Sequence, residues 1–181
     1  MADYIAFKEL TFEDIEDNLL DNFNRYQKVT KSWKNENNNW ILVDIEYIVE
    51  WDKNKKENLI KLFSKIINEQ MGYVFGAYEN KKLIGFSVLL NNKFGSKKQY
   101  IQLKFLHISL EYRHKGTGKK LFGLCVEKAK IIGIEKIYIS ANDSEDTIKF
   151  YFSIGCKDAM EINKEFAEEE PYDRPLEYKI E

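Results

Sequence analysis

The stretch YRHKGTGKKLF, residues 112–122, gathers Arg113, His114, Lys115, Lys119 and Lys120 around Gly116, Thr117 and Gly118, just ahead of an apolar pattern at helical spacing. Residues of these types can hold an anion. A strand ending near Leu110 that feeds a helix beginning near Gly116 leaves several backbone N–H groups unpaired at the positive end of the helix dipole. The glycines remove Cβ atoms that would keep an anion's oxygens from those N–H groups, and the basic side chains add local positive charge. Phosphate is the natural guest. Two nucleotide motifs fail on the same letters. A GxxxxGK[ST] loop needs glycine where Arg113 stands, and GxGxxG needs it where Leu121 stands.

Elsewhere, His107 has the ordinary pKa near 6.5 that suits a base at neutral pH, and strand alternation places it on one face with Phe105 and Ser109. Cys125 falls on an apolar helix face and Cys156 follows Gly155. Neither has the basic neighbours that activate a thiol, which points away from a cysteine acyl-enzyme.

The elements that must position these residues follow from periodicity and punctuation. Strands are predicted over 4–10, 40–51, 73–79, 82–91, 99–110, 135–141 and 175–180, with ENKK as a hairpin turn. Helices are predicted over 12–24, with Thr11 and Asp14 as an imperfect capping box, then over 53–70 with Gly72 as the stop. Two more follow, over 117–132 and from Asp143 or Ser144 to 153. The Asn- and Lys-rich run between Trp33 and Trp40 reads as an exposed loop, a lid or a polar connection. No repeat or Pro/Gly/Ser linker divides the chain, so one domain over 1–181 is expected.

Composition narrows the classes. With 28 basic and 30 acidic residues the net charge is −2, so no global field draws the chain to nucleic acid or an anionic membrane. Two cysteines without CxxC spacing and two histidines argue against a disulfide framework or structural zinc, and no metal is expected. MADYIAFKEL lacks a signal-peptide pattern, and no apolar run approaches the roughly 18 residues of a membrane span. A soluble cytoplasmic protein is the expectation. Nothing fixes the oligomeric state, and a homodimer is compatible with it.

The R-x-x-G-x-G arrangement of Arg113, Gly116 and Gly118, after a strand and before a helix, resembles the pyrophosphate-binding motif of the GCN5-related N-acetyltransferase (GNAT) superfamily. Downstream, YISANDSEDTIKFYFSIGC is similar to that superfamily's next strand, Asn-containing turn and helix, with Cys156 in place of the usual aromatic residue after the glycine. The resemblance is good over about 73–156, and 1–72 follows only by order of elements. It implies an α/β (α+β) fold: a mixed, mostly antiparallel twisted sheet flanked by helices, with strands splayed at the cofactor site. It also implies acetyl-CoA as cosubstrate. The pantetheine would lie on the backbone of Leu106 and Ile108, the pyrophosphate on residues Arg113 through Gly118 with Lys119, and Asn142 would be a further contact. Tyr151 would be the general acid for the departing thiolate. The tail, EEEPYDRPLEYKI, resembles that of stand-alone bacterial acetyltransferases of unassigned substrate.

The general base is open between His107, Glu46 and a water chain. The superfamily's variable N-terminal part usually forms the acceptor site. Here it holds Tyr26, Trp33, Trp40, Asp44, Glu46, Tyr47 and Trp51, of which Trp33, Glu46 and Tyr47 are the candidates for holding a cationic amine. The expected reaction is acetyl transfer from acetyl-CoA to a primary amine of a small molecule or peptide, by direct attack in a ternary complex. The alternative is a non-catalytic acyl-CoA-binding or sensing module.

Overall fold

The structure is a computed structural model and describes residues 4–181; the first three residues of the expected domain lie outside it. Nine strands and four α-helices follow one another as β1 (Ala6–Glu9), β2 (Gln27–Glu36), β3 (Asn39–Val49), α1 (Lys53–Asn68), β4 (Gly72–Glu79), β5 (Lys82–Leu90), β6 (Tyr100–Ile108), α2 (Thr117–Ile131), β7 (Lys136–Ala141), α3 (Glu145–Ser153), β8 (Lys157–Asp158), α4 (Lys164–Glu169) and β9 (Arg174–Lys179). Seven strands form one sheet in the order β1-β4-β5-β6-β7-β9-β8, and β2 and β3 form a separate ribbon. Every pairing in the large sheet is antiparallel except β6 with β7.

The sheet is covered on both faces, which is why β4 and β5 read as nearly continuous apolar runs. On one face α1 buries Leu59, Ile60, Phe63 and Ile66 against Val74, Phe86 and Val88. On the other, α2 and α3 bury Leu121, Phe122, Cys125, Ile148 and Tyr151 against Ile84, Leu103 and Ile139. Side chains of β6 alternate between these layers: Phe105 packs in the first, Leu106 and Ile108 in the second.

Most predicted elements form within a residue or two of their expected bounds. The β4–β5 turn is Asn80–Lys81, both at positive φ (49° and 65°), as a two-residue hairpin turn requires. Helix α1 stops through Gln70 at φ 52° rather than at Gly72. Gly72 instead opens β4, where a Cβ would stand 2.3 Å from the Leu89 carbonyl oxygen.

Two expectations are corrected. The helix predicted over 12–24 is a single 3-10 turn, Phe12–Asp14, followed by bonds reaching three residues back: Leu19 to Glu16, Asp21 to Asn18 and Phe23 to Leu20. The capping box does form, with the Thr11 N–H and hydroxyl both donating to Asp14 Oδ2. Like charges four apart (Glu13 with Asp17, Asp17 with Asp21) and Asn18, Asn22 and Asn24, whose side chains compete for the backbone, oppose helix propagation beyond it. Leu20 and Phe23 are still fully buried, as separate anchors.

The second correction is the loop between Trp33 and Trp40, which is the far half of an antiparallel ribbon. Glu36 pairs with Asn39 across Asn37 and Asn38, both left-handed (φ 51° and 67°). A two-stranded ribbon buries little, and of β2 only Val29 and Ser32 are buried, so no apolar alternation marks it. β8 and α4, both very short, carried no periodic signal.

Candidate active site

The two central strands part company. β6 and β7 pair only where Tyr100, Ile101 and Gln102 face Lys136, Ile137 and Tyr138. Beyond that, β6 keeps its partner β5 as far as Ile108, and β7 keeps β9 as far as Ala141. The β7-facing edge of Leu103–Ile108 is therefore open, with free backbone groups for an extended ligand to pair with. A register shift in the β5–β6 pairing at Val88/Leu89, opposite Phe105 and Leu103, lies beside the point of parting.

The open edge leads to the glycine turn. After a 3-10 turn at Leu110–Tyr112 the chain takes left-handed φ at His114 (61°) and at Gly116 (81°), the N-cap of α2. Gly116 brings no capping side chain, and a Cβ built there meets nothing within 4 Å. The N-cap of α2 is thus open at Gly116, at the positive end of the dipole. Thr117 Oγ1, at the first position of α2, is buried without a partner.

Gly118 has a different reason to be glycine: its Cβ would lie 3.3 Å from the Phe150 ring of α3 and 3.7 Å from Ile108. The basic side chains mostly lean back on the protein. Arg113 Nε donates to the Ile108 carbonyl (3.0 Å), Lys115 lies over the Tyr112 ring and Lys120 over Phe7, while His114 and Lys119 are exposed. A pyrophosphate fits this turn chiefly through main-chain groups.

Tyr151 sits on α3 at 6% exposure, packed against Phe122 and Phe150, with the thiols of Cys125 and Cys156 and the acid Asp173 nearby. Burial raises its phenol well above the ordinary value, so it keeps its proton throughout the physiological range. Burial also pushes Cys125 and Cys156 up to about 12, which leaves both as inert thiols. Asp173, half-buried and bonded to Glu170, is pushed above the usual carboxylate range, by burial first and then by Glu170.

His107 turns to the α1 side. Its ring meets Trp51 edge-on at 4.8 Å and packs on Phe86 and Phe105. Burial first, then the charges of Arg25, Arg113 and Lys55, hold its pKa well below 6.5. The imidazole is neutral at pH 7 but a poorer base than its sequence position suggests. Beyond Trp51 opens a cavity of about 550 Å³ lined by Asp21, Asn22, Phe23, Asn24, Arg25, Tyr26, Glu50, Trp51, Asp52 and Lys56.

The candidates from the ribbon do not converge on that cavity. Trp33 stacks on Arg174 (5.1 Å), which also touches Trp40 and Phe152 and forks onto Asp158 at 2.6 and 2.8 Å. This cluster fastens the ribbon to β9. Glu46 is exposed and paired with Lys28 (3.2 Å). Tyr47 reaches the α3 head, where its hydroxyl lies 3.4 Å from Asp143 Oδ1. Buried Asp143 also accepts from Ser32 (2.5 Å) and Lys34 (2.8 Å), which seals the ribbon onto the turn. Asn142 is exposed and closes an Asx turn by accepting from the Ser144 N–H.

Sequence reasoning passed over Arg25 and Asp143. Arg25 lies in NFNRY, a run with no motif or period, and Asp143 read only as a helix start. Among the described residues, no group of three or more His, Cys, Asp or Glu is placed to hold a metal ion, and no helix is long and apolar enough to cross a membrane.

Solved structures share this architecture at low identity. Nourseothricin acetyltransferase superposes with a TM-score of 0.70 at 13% identity, over 98% of this chain and 99% of that one. A candidate streptothricin acetyltransferase from Bacillus anthracis str. Ames, solved with acetyl coenzyme A, gives 0.70 at 19% identity over 96% of each chain. PaiA N-acetyltransferase from Thermoplasma acidophilum, in complex with coenzyme A, gives 0.60 at 19% over 97% and 99%. These likenesses are of fold. No curated protein matches the sequence. A family model described as "Acetyltransferase (GNAT) family" matches residues 33–155, from the ribbon through the glycine turn to the end of α3. The chain belongs to the GNAT acetyltransferase family.

Proposed function

We propose that the protein transfers an acetyl group from acetyl-CoA to a primary amine by direct attack within a ternary complex. The observation that carries this reading is the continuity of the open β6 edge with the uncapped, glycine-headed N-terminus of α2. That combination suits an extended arm ending in a pyrophosphate. Fold relatives solved with acetyl-CoA and CoA support the choice of ligand.

In this reading Leu106 and Ile108 pair with the pantetheine, and the backbone from Arg113 to Lys119 holds the pyrophosphate. The amine nitrogen bonds to the thioester carbonyl carbon, and the C–S bond then breaks with its electron pair left on sulfur. Tyr151 donates a hydrogen bond to that sulfur. An ordinary thiol has a pKa near 8.5, so full transfer from a phenol of raised pKa runs uphill, and stabilisation of developing charge is its larger contribution. The amine's proton leaves through water. Neither His107, ringed by cations, nor Glu46, out on the ribbon, is well set to take it.

The test is release of free thiol from acetyl-CoA in the presence of a panel of primary amines, followed by mass detection of the N-acetyl product. Amine-dependent thiol release is expected. Acetyl-CoA binding without turnover of any amine would favour the non-catalytic acyl-CoA-binding alternative.

A further inference from the structure

The acceptor's chemistry is written in one side chain that the mechanism leaves unused. Arg25 is largely buried, yet among the described residues no carboxylate lies within 4.0 Å of it. Its guanidinium donates from Nη1 to Gln27 (3.0 Å) and lies over the Trp51 ring at 5.7 Å, and its Nε is buried with no partner. A buried guanidinium lacking an anion is costly to keep, and its planar fork matches a carboxylate. Burial and the neighbouring Arg113 push it down to about 10, the direction expected of a cation waiting for a counter-charge.

Its position is suited to the reaction. Arg25 and Trp51 both line the 550 Å³ cavity. The segment carrying Arg25 is stitched to the exit of β6: the Asn24 N–H donates to Ser109 Oγ (2.9 Å) and the Leu110 N–H to the Asn24 carbonyl (3.0 Å). Arg25 is therefore held at the exit of β6, with its charge close to His107 on the α1 side of that strand. Asp21, Glu50 and Asp52 line the same cavity, so it is amphoteric. Asp52 is committed in part to capping α1 through the Lys55 N–H (2.7 Å).

We infer that the acceptor is an amine that also carries a carboxylate, and that Arg25, backed by Trp51, is the residue that binds that carboxylate and sets acceptor specificity. This rests on the acetyltransferase reading and narrows it. A plain cationic amine could use only the Asp21, Glu50 and Asp52 side of the cavity and would leave Arg25 without a counter-charge. An aminocarboxylate supplies the counter-charge for Arg25, while Asp21 and Glu50 on the cavity wall can receive its ammonium end.

The test uses matched sets: phenylalanine, phenylalaninamide and phenethylamine, and lysine, lysinamide and cadaverine. For the wild type, the acid-to-amide ratio of kcat/KM should be about 10–100 in at least one set, the size expected for a desolvated charge-assisted pair. The amide has the less basic, more available amine and is the harder competitor. In Arg25→Gln the ratio should fall to near 1, and Arg25→Lys should retain part of it. A wild-type ratio near 1, or a ratio unchanged in Arg25→Gln, overturns the inference and leaves the acetyltransferase reading standing.

A second readout needs no turnover. N-acetyl amino acids and their amides are titrated against intrinsic tryptophan fluorescence, with Trp51→Phe reporting which signal comes from the cavity. Tighter binding of the acid, lost in Arg25→Gln, supports the carboxylate site even if no amine is acetylated; only the catalytic reading would then fail. Equal binding of acid and amide, or binding of neither with no turnover, overturns the carboxylate site.

Discussion

His107 illustrates how a residue's surroundings decide its chemistry. In the unfolded chain its pKa is near 6.5; in the folded protein it lies well below. Below pH 6.5 the folded state thus binds fewer protons than the unfolded chain and stability is lost, while above about pH 7 the group contributes nothing pH-dependent. Relative to His107→Asn, the wild type should lose stability between pH 6.5 and 5 by up to about 1.4 kcal/mol per pH unit. Urea unfolding of both proteins across pH 5–8 measures this, and a flat difference would mean the imidazole is not depressed. Tyr151→Phe tests the other candidate: kcat should fall about 10²–10⁴-fold with acetyl-CoA affinity nearly unchanged. An unaltered kcat in a folded variant removes the phenol from the mechanism. At this scale the sequence marks residues held in local motifs, Gly116, Gly118 and Tyr151. It is silent on Arg25 and Asp143, which gain meaning from partners outside their local motif, Trp51 for Arg25 and Ser32 and Lys34 for Asp143.

Among the elements, α2 and its glycine turn divide two tasks that the motif R-x-x-G-x-G runs together. Gly116 is glycine for its left-handed φ and the open space beside it, Gly118 for the close approach of Phe150. Gly116→Asp should therefore place a carboxylate beside the first N–H groups of α2 and abolish the rise in Tm that acetyl-CoA gives the wild type. Gly116→Asn, which tolerates left-handed φ, should keep most of that rise. Gly118→Ala should instead lower stability by about 1–2 kcal/mol through overpacking while retaining the ligand response. Thermal unfolding with and without acetyl-CoA separates the two, and equal ligand responses in Gly116→Asp and the wild type would mean the pyrophosphate lies elsewhere. Elements with a strong period, such as α1, α2, β4 and β5, were readable to within a residue or two. The ribbon β2–β3 was half missed because a strand that buries Val29 and Ser32 alone shows no alternation. The helix expected at 12–24 had the apolar spacing but too many like charges and asparagines to propagate.

For the whole molecule, a ligand that binds the native state alone, at 100 times its Kd, adds about 2.7 kcal/mol, or roughly 5–10 °C in Tm for a chain of this size. Where that stabilisation acts is set by the parting of β6 from β7. Mechanically the large sheet is two plates, β1-β4-β5-β6 and β7-β9-β8, joined by a short seam at Tyr100–Gln102 and unsupported at the other end. Twisting compliance concentrates at that free end, between Ile108 and Ala141, and an occupant lying along the gap would act as the missing brace. Amide hydrogen exchange should then be fastest, among the central strands, at Leu103–Ile108 and Ile139–Ala141. Acetyl-CoA should slow it in both stretches together while leaving the seam unchanged. Protection confined to one plate would mean that the ligand rests on an edge and does not bridge the two. If both plates respond, the cosubstrate completes the sheet, and the enzyme is stiffest while the coenzyme arm lies in the gap.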